Sequence, residues 1–242
     1  MLIAITGLTL AGCAGNNEPE PAPEPEPASV TVSEIPWPDT EFTGYVIQDY
    51  DGNEMGSSAL LIRKTLDIYN LNQKYVFEGS FDQVLIANVK ADDLKPLAGT
   101  ITIPEVMLAP LVTYLYKEDG TLTIDAATEE GNQHTVVNVP EDTYDNNELL
   151  FLLRTIPFEI GYTATFTNVK ITTKAEKRAA TVTVVGEEKL QVPAGNFDTY
   201  KVELTSASNK KYLWYGKEKP HYLVKLDDGT GVILLEEIKE KF

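Results

Sequence analysis

The sequence predicts an all-β fold with a minor helix: an antiparallel meander forming a curved sheet or half-open barrel, with one short helix covering or plugging it. Three observations carry that expectation. From Phe42 onward β-branched and aromatic residues alternate with polar ones, turn signals recur at the spacing of a meander, and Leu149 to Ile156 carries the wide apolar stripe of a helix.

The alternation is plainest late in the chain. Thr181, Thr183 and Gly186 interleave with Val182, Val184 and Val185, while Tyr200, Val202 and Leu204 alternate with Lys201, Glu203 and Thr205, so each run presents one face inward and one outward. Asp51-Gly52-Asn53, Asp119-Gly120, Gly131-Asn132, Ala194-Gly195-Asn196 and Asp228-Gly229 mark turns, because positive φ costs little there. These signals give about ten strands. Within them, Tyr212 and Trp214 share one face and Leu213 and Tyr215 the other, so that strand is expected to be covered on both sides. Pro193-Ala194-Gly195-Asn196 supplies a strand-to-strand turn that returns Phe197 to the core, and Pro220-His221 falls at a hairpin end with His221 solvated.

Asp145 is placed to cap a helix with Glu148 three residues on, and Leu149, Leu150, Leu152, Leu153 and Ile156 then build the apolar stripe that stops at Pro157. Such a stripe must be covered. The concave face of a curved sheet is the natural cover, and the helix is then either a permanent plug or a removable lid. A shorter helical turn is expected at Ala91 to Lys95, before Pro96.

The chain opens with an apolar run, Leu2 to Leu10, too short to span a bilayer and suited to the core of an export signal. Its sole cysteine, Cys13, closes Leu10-Ala11-Gly12-Cys13, a pattern that resembles the bacterial lipoprotein box. Small residues at Ala11 and Gly12 admit a peptidase, and the thiol carries the lipid. Residues 1–12 are therefore expected to be removed, with Cys13 acylated (diacylglycerol on sulfur, palmitate as a typical chain) and holding the protein without a spanning helix. No Lys or Arg precedes the apolar run, a departure from export signals that places the expected true start upstream. Pro19, Pro21, Pro23, Pro25 and Pro27 then alternate mostly with glutamate, which favours an extended, self-repelling spacer. The expected organisation is a signal at 1–12, lipidated cysteine and disordered tether at 13–40, and one β domain at 41–242. Trp37, between Pro36 and Pro38, is expected to dock on the edge of that domain.

Up to position 41 the chain carries seven acids, Glu18, Glu20, Glu24, Glu26, Glu34, Asp39 and Glu41, and no positive charge before Arg63, which leaves −10 of the formal −17 beyond position 41. Both parts are acidic. That balance argues against nucleic acid and against adhesion to anionic headgroups, which would be repelled. With Cys13 lipidated no cysteine is left for a disulfide, so the fold must rest on core burial.

Val192-Pro193-Ala194-Gly195-Asn196-Phe197-Asp198-Thr199-Tyr200-Lys201-Val202-Glu203-Leu204 resembles the hallmark of the exported bacterial family called domain of unknown function 3108. So does Leu213-Trp214-Tyr215 through Glu218-Lys219-Pro220 to Leu223-Val224-Lys225, and Asp92 to Pro96 and Tyr144-Asp145-Asn146 ahead of Leu152-Leu153-Arg154 are similar to its middle section. Ile103 to Leu111, unusually apolar, departs from the pattern. The resemblance implies an envelope β domain, akin to the lipoprotein-carrier half-barrels, with no established activity.

No catalytic set is legible. His134 and His221 lie far apart, neither beside a serine or carboxylate in a nucleophile motif, and no His or Cys spacing suggests zinc. Asp227-Asp228 and Glu129-Glu130 read as solvated charges; Asp51-Gly52-Asn53 has oxygen ligands for weak calcium binding but lacks the full loop pattern. The sequence thus calls for no enzyme, cofactor or metal. Its first functional expectation is a lipid-anchored envelope protein on the extracytoplasmic side, at the outer membrane of a two-membrane bacterium, holding a lipophilic or acyl ligand in the curved sheet. The alternatives are a structural or protein-interaction module acting through a sheet edge, and a hydrolase using paired carboxylates.

Overall fold

The computed structural model describes residues 28–77, 79, 82–103, 112–128, 130–207 and 209–239. Its strands are β1 (Ala28–Ser29), β2 (Thr40–Gln48), β3 (Glu54–Thr65), β4 (Ile68–Phe77), β5 (Gln83–Lys90), β6 (Pro96–Thr102), β7 (Val112–Tyr116) and β8 (Thr121–Thr128). There follow β9 (Gly131–Asn138), β10 (Thr143–Asp145), the single-turn helix α1 (Leu149–Leu152), β11 (Thr163–Ile171), β12 (Ala175–Val192), β13 (Gly195–Ser206), β14 (Asn209–Gly216), β15 (Leu223–Asp227) and β16 (Val232–Lys239).

One sheet takes all sixteen strands, in the order β1-β11-β12-β13-β14-β15-β16-β2-β3-β4-β5-β6-β7-β8-β9, with β10 also on β11. Every neighbour in the meander is antiparallel; only β1 and β10 lie parallel to β11. The sheet curves without closing, so of the two expected forms the open curved sheet is the one found. Sixteen strands replace the expected ten because several connections are tight turns with no glycine, such as Leu66-Asp67 between β3 and β4.

Strand alternation produces one inward face. Leu60 and Ile62 on β3, Ala87 and Val89 on β5, Val182 and Val184 on β12, and Val202 and Leu204 on β13 are buried in the main cluster. A second cluster joins Leu85, Ile101, Val112, Tyr114, Leu122, Ile124 and Ala126 to Val169 and Ile171 of β11. The expected run of valines breaks at Val185, which is 42% exposed. A register shift between Val184 and Gly186 inserts an extra residue there and turns it outward.

Two positions need glycine. Gly195 holds φ +133° in the turn from β12 to β13, as expected. At Gly99 a Cβ would stand 2.1 Å from the Ile86 carbonyl oxygen and 2.2 Å from the Tyr114 hydroxyl, so the bare backbone lets Tyr114 lie across β6.

The segment assigned to the tether is not all spacer. β1 pairs with β11, Val30 is buried, and Trp37 is 5% exposed against Tyr69, so the domain begins before residue 41. Trp37 docks as expected. Trp214 is likewise covered, beneath Lys201 and Lys225 and donating from Nε1 to Glu188 at 2.8 Å, while Leu213 and Tyr215 on the other face are fully buried.

Candidate functional site

The concave face is occupied by the chain itself. After β10 the run from Asn146 to Ile156 turns through the interior and buries Leu149, Phe151, Leu152, Leu153 and Ile156. The sequence predicted a helix across this whole run; regular helix is confined to Leu149–Leu152, and the residues on either side are turns. The reason is attachment. Backbone groups of this plug are bonded to the sheet around it: the Leu150 carbonyl accepts from the Tyr215 hydroxyl at 3.1 Å, the Asn147 carbonyl from Gln73 Nε2, and the Thr155 carbonyl from Ser33 N at 3.2 Å.

At the far end of the plug stands Arg154, 2% exposed. Its Nη1 and Nη2 donate to the two carboxylate oxygens of Glu41 at 2.6 and 2.9 Å, and Nη2 and Nε also donate to the Pro220 carbonyl at 2.8 and 3.2 Å. Trp37 and Tyr222 lie over the guanidinium at 4.9 and 5.7 Å. One planar cation thus joins the incoming segment, β2, the plug and the β14–β15 turn, a task that suits arginine's fork of donors. The sequence signal was a lone cation in an apolar run, Leu152-Leu153-Arg154.

The near end is opposite in character. Asp145 was expected to cap the helix, but α1 begins at Leu149 behind Glu148 with no side-chain cap, and the two acids instead close the turn before it: Glu148 Oε1 accepts from Asp145 N and Asp145 Oδ1 from Asn147 N, both at 2.7 Å. Both acids are fully buried, and Asp145 Oδ2 and Glu148 Oε2 have no hydrogen-bond partner. Burial pushes the Asp145 carboxyl up to about 6 and Glu148 well above the carboxylate range, with the charge of Asp145 adding to the rise at Glu148. Tyr114 and Tyr116 feel the same acids, and their hydroxyls are raised chiefly by burial. Asn147 Nδ2 donates to the Tyr114 hydroxyl at 3.1 Å, and that hydroxyl donates to the Ile86 carbonyl at 3.2 Å. Lys95 is the neighbouring cation, but its ammonium is spent on the Glu141 carbonyl at 2.8 Å and the Tyr144 ring at 4.1 Å. Both carboxyls are buried among the plug and the strands around it, and burial favours their protonated forms.

The other sequence candidates fall elsewhere. Cys13, the lipidation residue, lies outside the described residues, as does most of Ile103 to Leu111. His221 corrects the expectation of a solvated turn: it is half-buried at φ +57°, Nδ1 lies 2.8 Å from the Gly216 carbonyl, and burial lowers its basicity. His134 pairs across strands with Asp125 at 2.6 Å, a contact that sequence separation hid. In register the row runs Thr113, Asp125, His134, so the acid rather than the imidazole stands between hydroxyl and base, the wrong order for nucleophile activation. At the calcium candidate Asp51-Gly52-Asn53, Asp49 takes the oxygen role: its carboxylate accepts from Asp51 N, Asn53 N and Asn53 Nδ2, which closes a turn. Asp227 and Asp228 likewise accept from Gly229 N and Thr230 N. Among the described residues no group of three or more His, Cys, Asp or Glu is placed to hold a metal ion.

The folded chain is similar to two solved structures. A Bacteroides fragilis chain described as an exported protein with a YmcC-like fold aligns at TM-score 0.35 and 11% identity, over 85% of this chain and 98% of that one. A Parabacteroides distasonis chain described as a lipoprotein aligns at TM-score 0.31 and 12% identity, over 85% and 97%. No curated protein matches the sequence. The segments quoted for their family resemblance meet at the plug: Tyr144-Asp145-Asn146 enters it, Arg154 ends it, and Tyr215 and Pro220 bond to it. Residues 45–236, from β2 to β16, match the family described as Protein of unknown function (DUF3108), and the chain belongs to that family.

Proposed function

We propose that this protein is a non-catalytic module of the cell envelope, anchored through a lipid on Cys13 on the extracytoplasmic side, that offers the open edge of its sheet to an extended segment of another envelope protein. In a two-membrane bacterium the residue after Cys13, Ala14 rather than aspartate, favours the outer membrane. The observation that carries the reading is β9. It is the last strand of the sheet, mostly exposed, and its outer edge takes no strand among the described residues.

Exposed edges are ordinarily defended by Lys, Pro, bulges or shortness. β9 has eight residues, Gly131–Asn138, holds no Lys, Arg, Asp, Glu or Pro, and keeps unbroken register with β8. Such an edge suits strand addition, in which main-chain hydrogen bonds supply affinity. The room an acyl ligand needs on the concave face is taken by Leu149, Phe151, Leu152, Leu153 and Ile156, so carriage of a lipophilic ligand requires the plug to leave. Its bonds to Glu41, Pro220 and Tyr215 oppose that.

Two experiments test the proposal. Palmitate labelling of wild type with none on Cys13→Ser supports the anchor; equal label on both removes it. A photocrosslinker at Gln133 or Thr135 in whole cells should capture a defined envelope partner, and Val136→Pro should abolish the capture. Recovery of the free chain alone would count against the edge as the working surface.

A further inference from the structure

We infer that the inward face of β11–β14, just past the plug, is a binding site for a small organic phosphate with hydroxyl groups, of the glycerol phosphate or sugar phosphate kind. A hollow of about 170 Å³ opens there, floored by Leu149 and Leu204. Register explains its chemistry. On the face that carries Phe166, Ala180 and Val182 into the core, the next residues outward are polar: Asn168 opposite Arg178, Lys170 opposite Glu176, Ser206 opposite Asn209, and Lys211 opposite Leu204.

Lys170, Arg178 and Lys211 therefore converge on one hollow of a chain whose formal charge is −17. Glu176 pairs with Arg178 at 2.5 Å and Asp228 lies within the field of Lys211, which leaves the cluster net cationic without neutralising it. Inside, Asn168 is 7% exposed, and its Oδ1 and the Ser206 hydroxyl oxygen have no hydrogen-bond partner. Buried polar atoms are almost always satisfied in folded proteins, so two unpartnered ones in one cationic hollow suit it to a polar guest. Guanidinium and ammonium groups supply charge-assisted bonds to phosphate oxygens, while asparagine and serine suit hydroxyls. The volume fits a phosphate with a three-carbon or single-ring body, and the acidic remainder of the chain disfavours an extended anionic surface as its carrier.

The test is titration of the full chain with sn-glycerol 3-phosphate, followed by calorimetry and by thermal melting, alongside vesicles of phosphatidylglycerol, which display a glycerol phosphodiester on a lipid. Saturable binding of sn-glycerol 3-phosphate is expected, weakened on the order of tenfold by each of Arg178→Gln and Lys211→Gln, and left unchanged by Lys189→Gln, an outward cation. Tighter binding of the free probe identifies a soluble source, and tighter binding of vesicles a lipid headgroup. Lys170→Glu, at an exposed rim position, gives a second reading should an inner variant fail to fold. No saturable binding, or equal binding by wild type, Arg178→Gln and Lys170→Glu, would overturn the site.

Discussion

The two ends of the plug bury charge in opposite ways. At Arg154 a cation meets Glu41 and the Pro220 carbonyl, with every bond between fixed groups. At Asp145 and Glu148 two like charges share a dry corner, and one oxygen on each is left over. A buried opposite pair with matched donors is strong so long as both members remain. A buried like pair is tolerated only by holding protons. One end is therefore a fixed bolt whose failure is abrupt, and the other is a seat whose stability depends on pH.

The bolt breaks most sharply. Arg154→Leu leaves the Glu41 carboxylate buried and unpaired, and urea unfolding at pH 7 should show a loss of about 3–5 kcal/mol. Adding Glu41→Gln to the same chain removes the stranded charge and should recover part of that loss. Equal stability of wild type and Arg154→Leu would mean that the Glu41 contact contributes nothing.

That end was also the least legible in sequence. Asp145 and Glu148 were visible as a pair because their spacing is local, although they close the turn before α1 rather than cap it. Arg154 and Glu41 are 113 positions apart, and only the meander brings them together. The same division runs through the fold. Alternation exposed the faces of β12 to β14, where side-chain period alone decides orientation. The turn at Leu66-Asp67 was hidden, since Leu66 takes φ +56° without being a glycine or asparagine, and so was the bulge that turns Val185 out. The cationic hollow was hidden too: Lys170, Arg178 and Lys211 lie on three different strands, and only register brings them around one hollow.

The seat sharpens the contrast from its supporting side. Gly99→Ala drives a methyl against the Ile86 carbonyl and the Tyr114 hydroxyl, the group that holds Asn147 between the two acids. Backbone cannot yield there as a flexible side chain would, and a loss of about 2–3 kcal/mol in urea unfolding is expected. A change below 1 kcal/mol would mean that β6 shifts freely and that Tyr114 is not pinned.

Glu148→Gln goes the other way. A raised carboxyl binds more protons in the folded state than in the unfolded one, so its stabilising contribution is complete below pH 4 and is lost as pH rises through about 6 at Asp145 and higher at Glu148. The amide keeps an acceptor for Asp145 N and removes the second charge. At pH 7.5 the variant should be more stable by on the order of 1–2 kcal/mol, with a shallower decline between pH 4.5 and 7.5. Parallel stability curves for the two proteins would show that repulsion across the whole acidic chain, rather than this pair, sets the slope.

The smallest effect is expected where charge is paired but wet. His134 and Asp125 lie 2.6 Å apart with side chains 62% and 65% exposed, a contact as short as Arg154 to Glu41 but open to solvent. Water screens it, so His134→Gln should change stability by less than about 0.5 kcal/mol. What the substitution alters is the face of β9 beside its free edge. A normal fold with weakened partner capture would assign His134 to recognition, whereas a loss as large as that of Arg154→Leu would mean that exposure, rather than distance, was the wrong guide to the strength of these pairs.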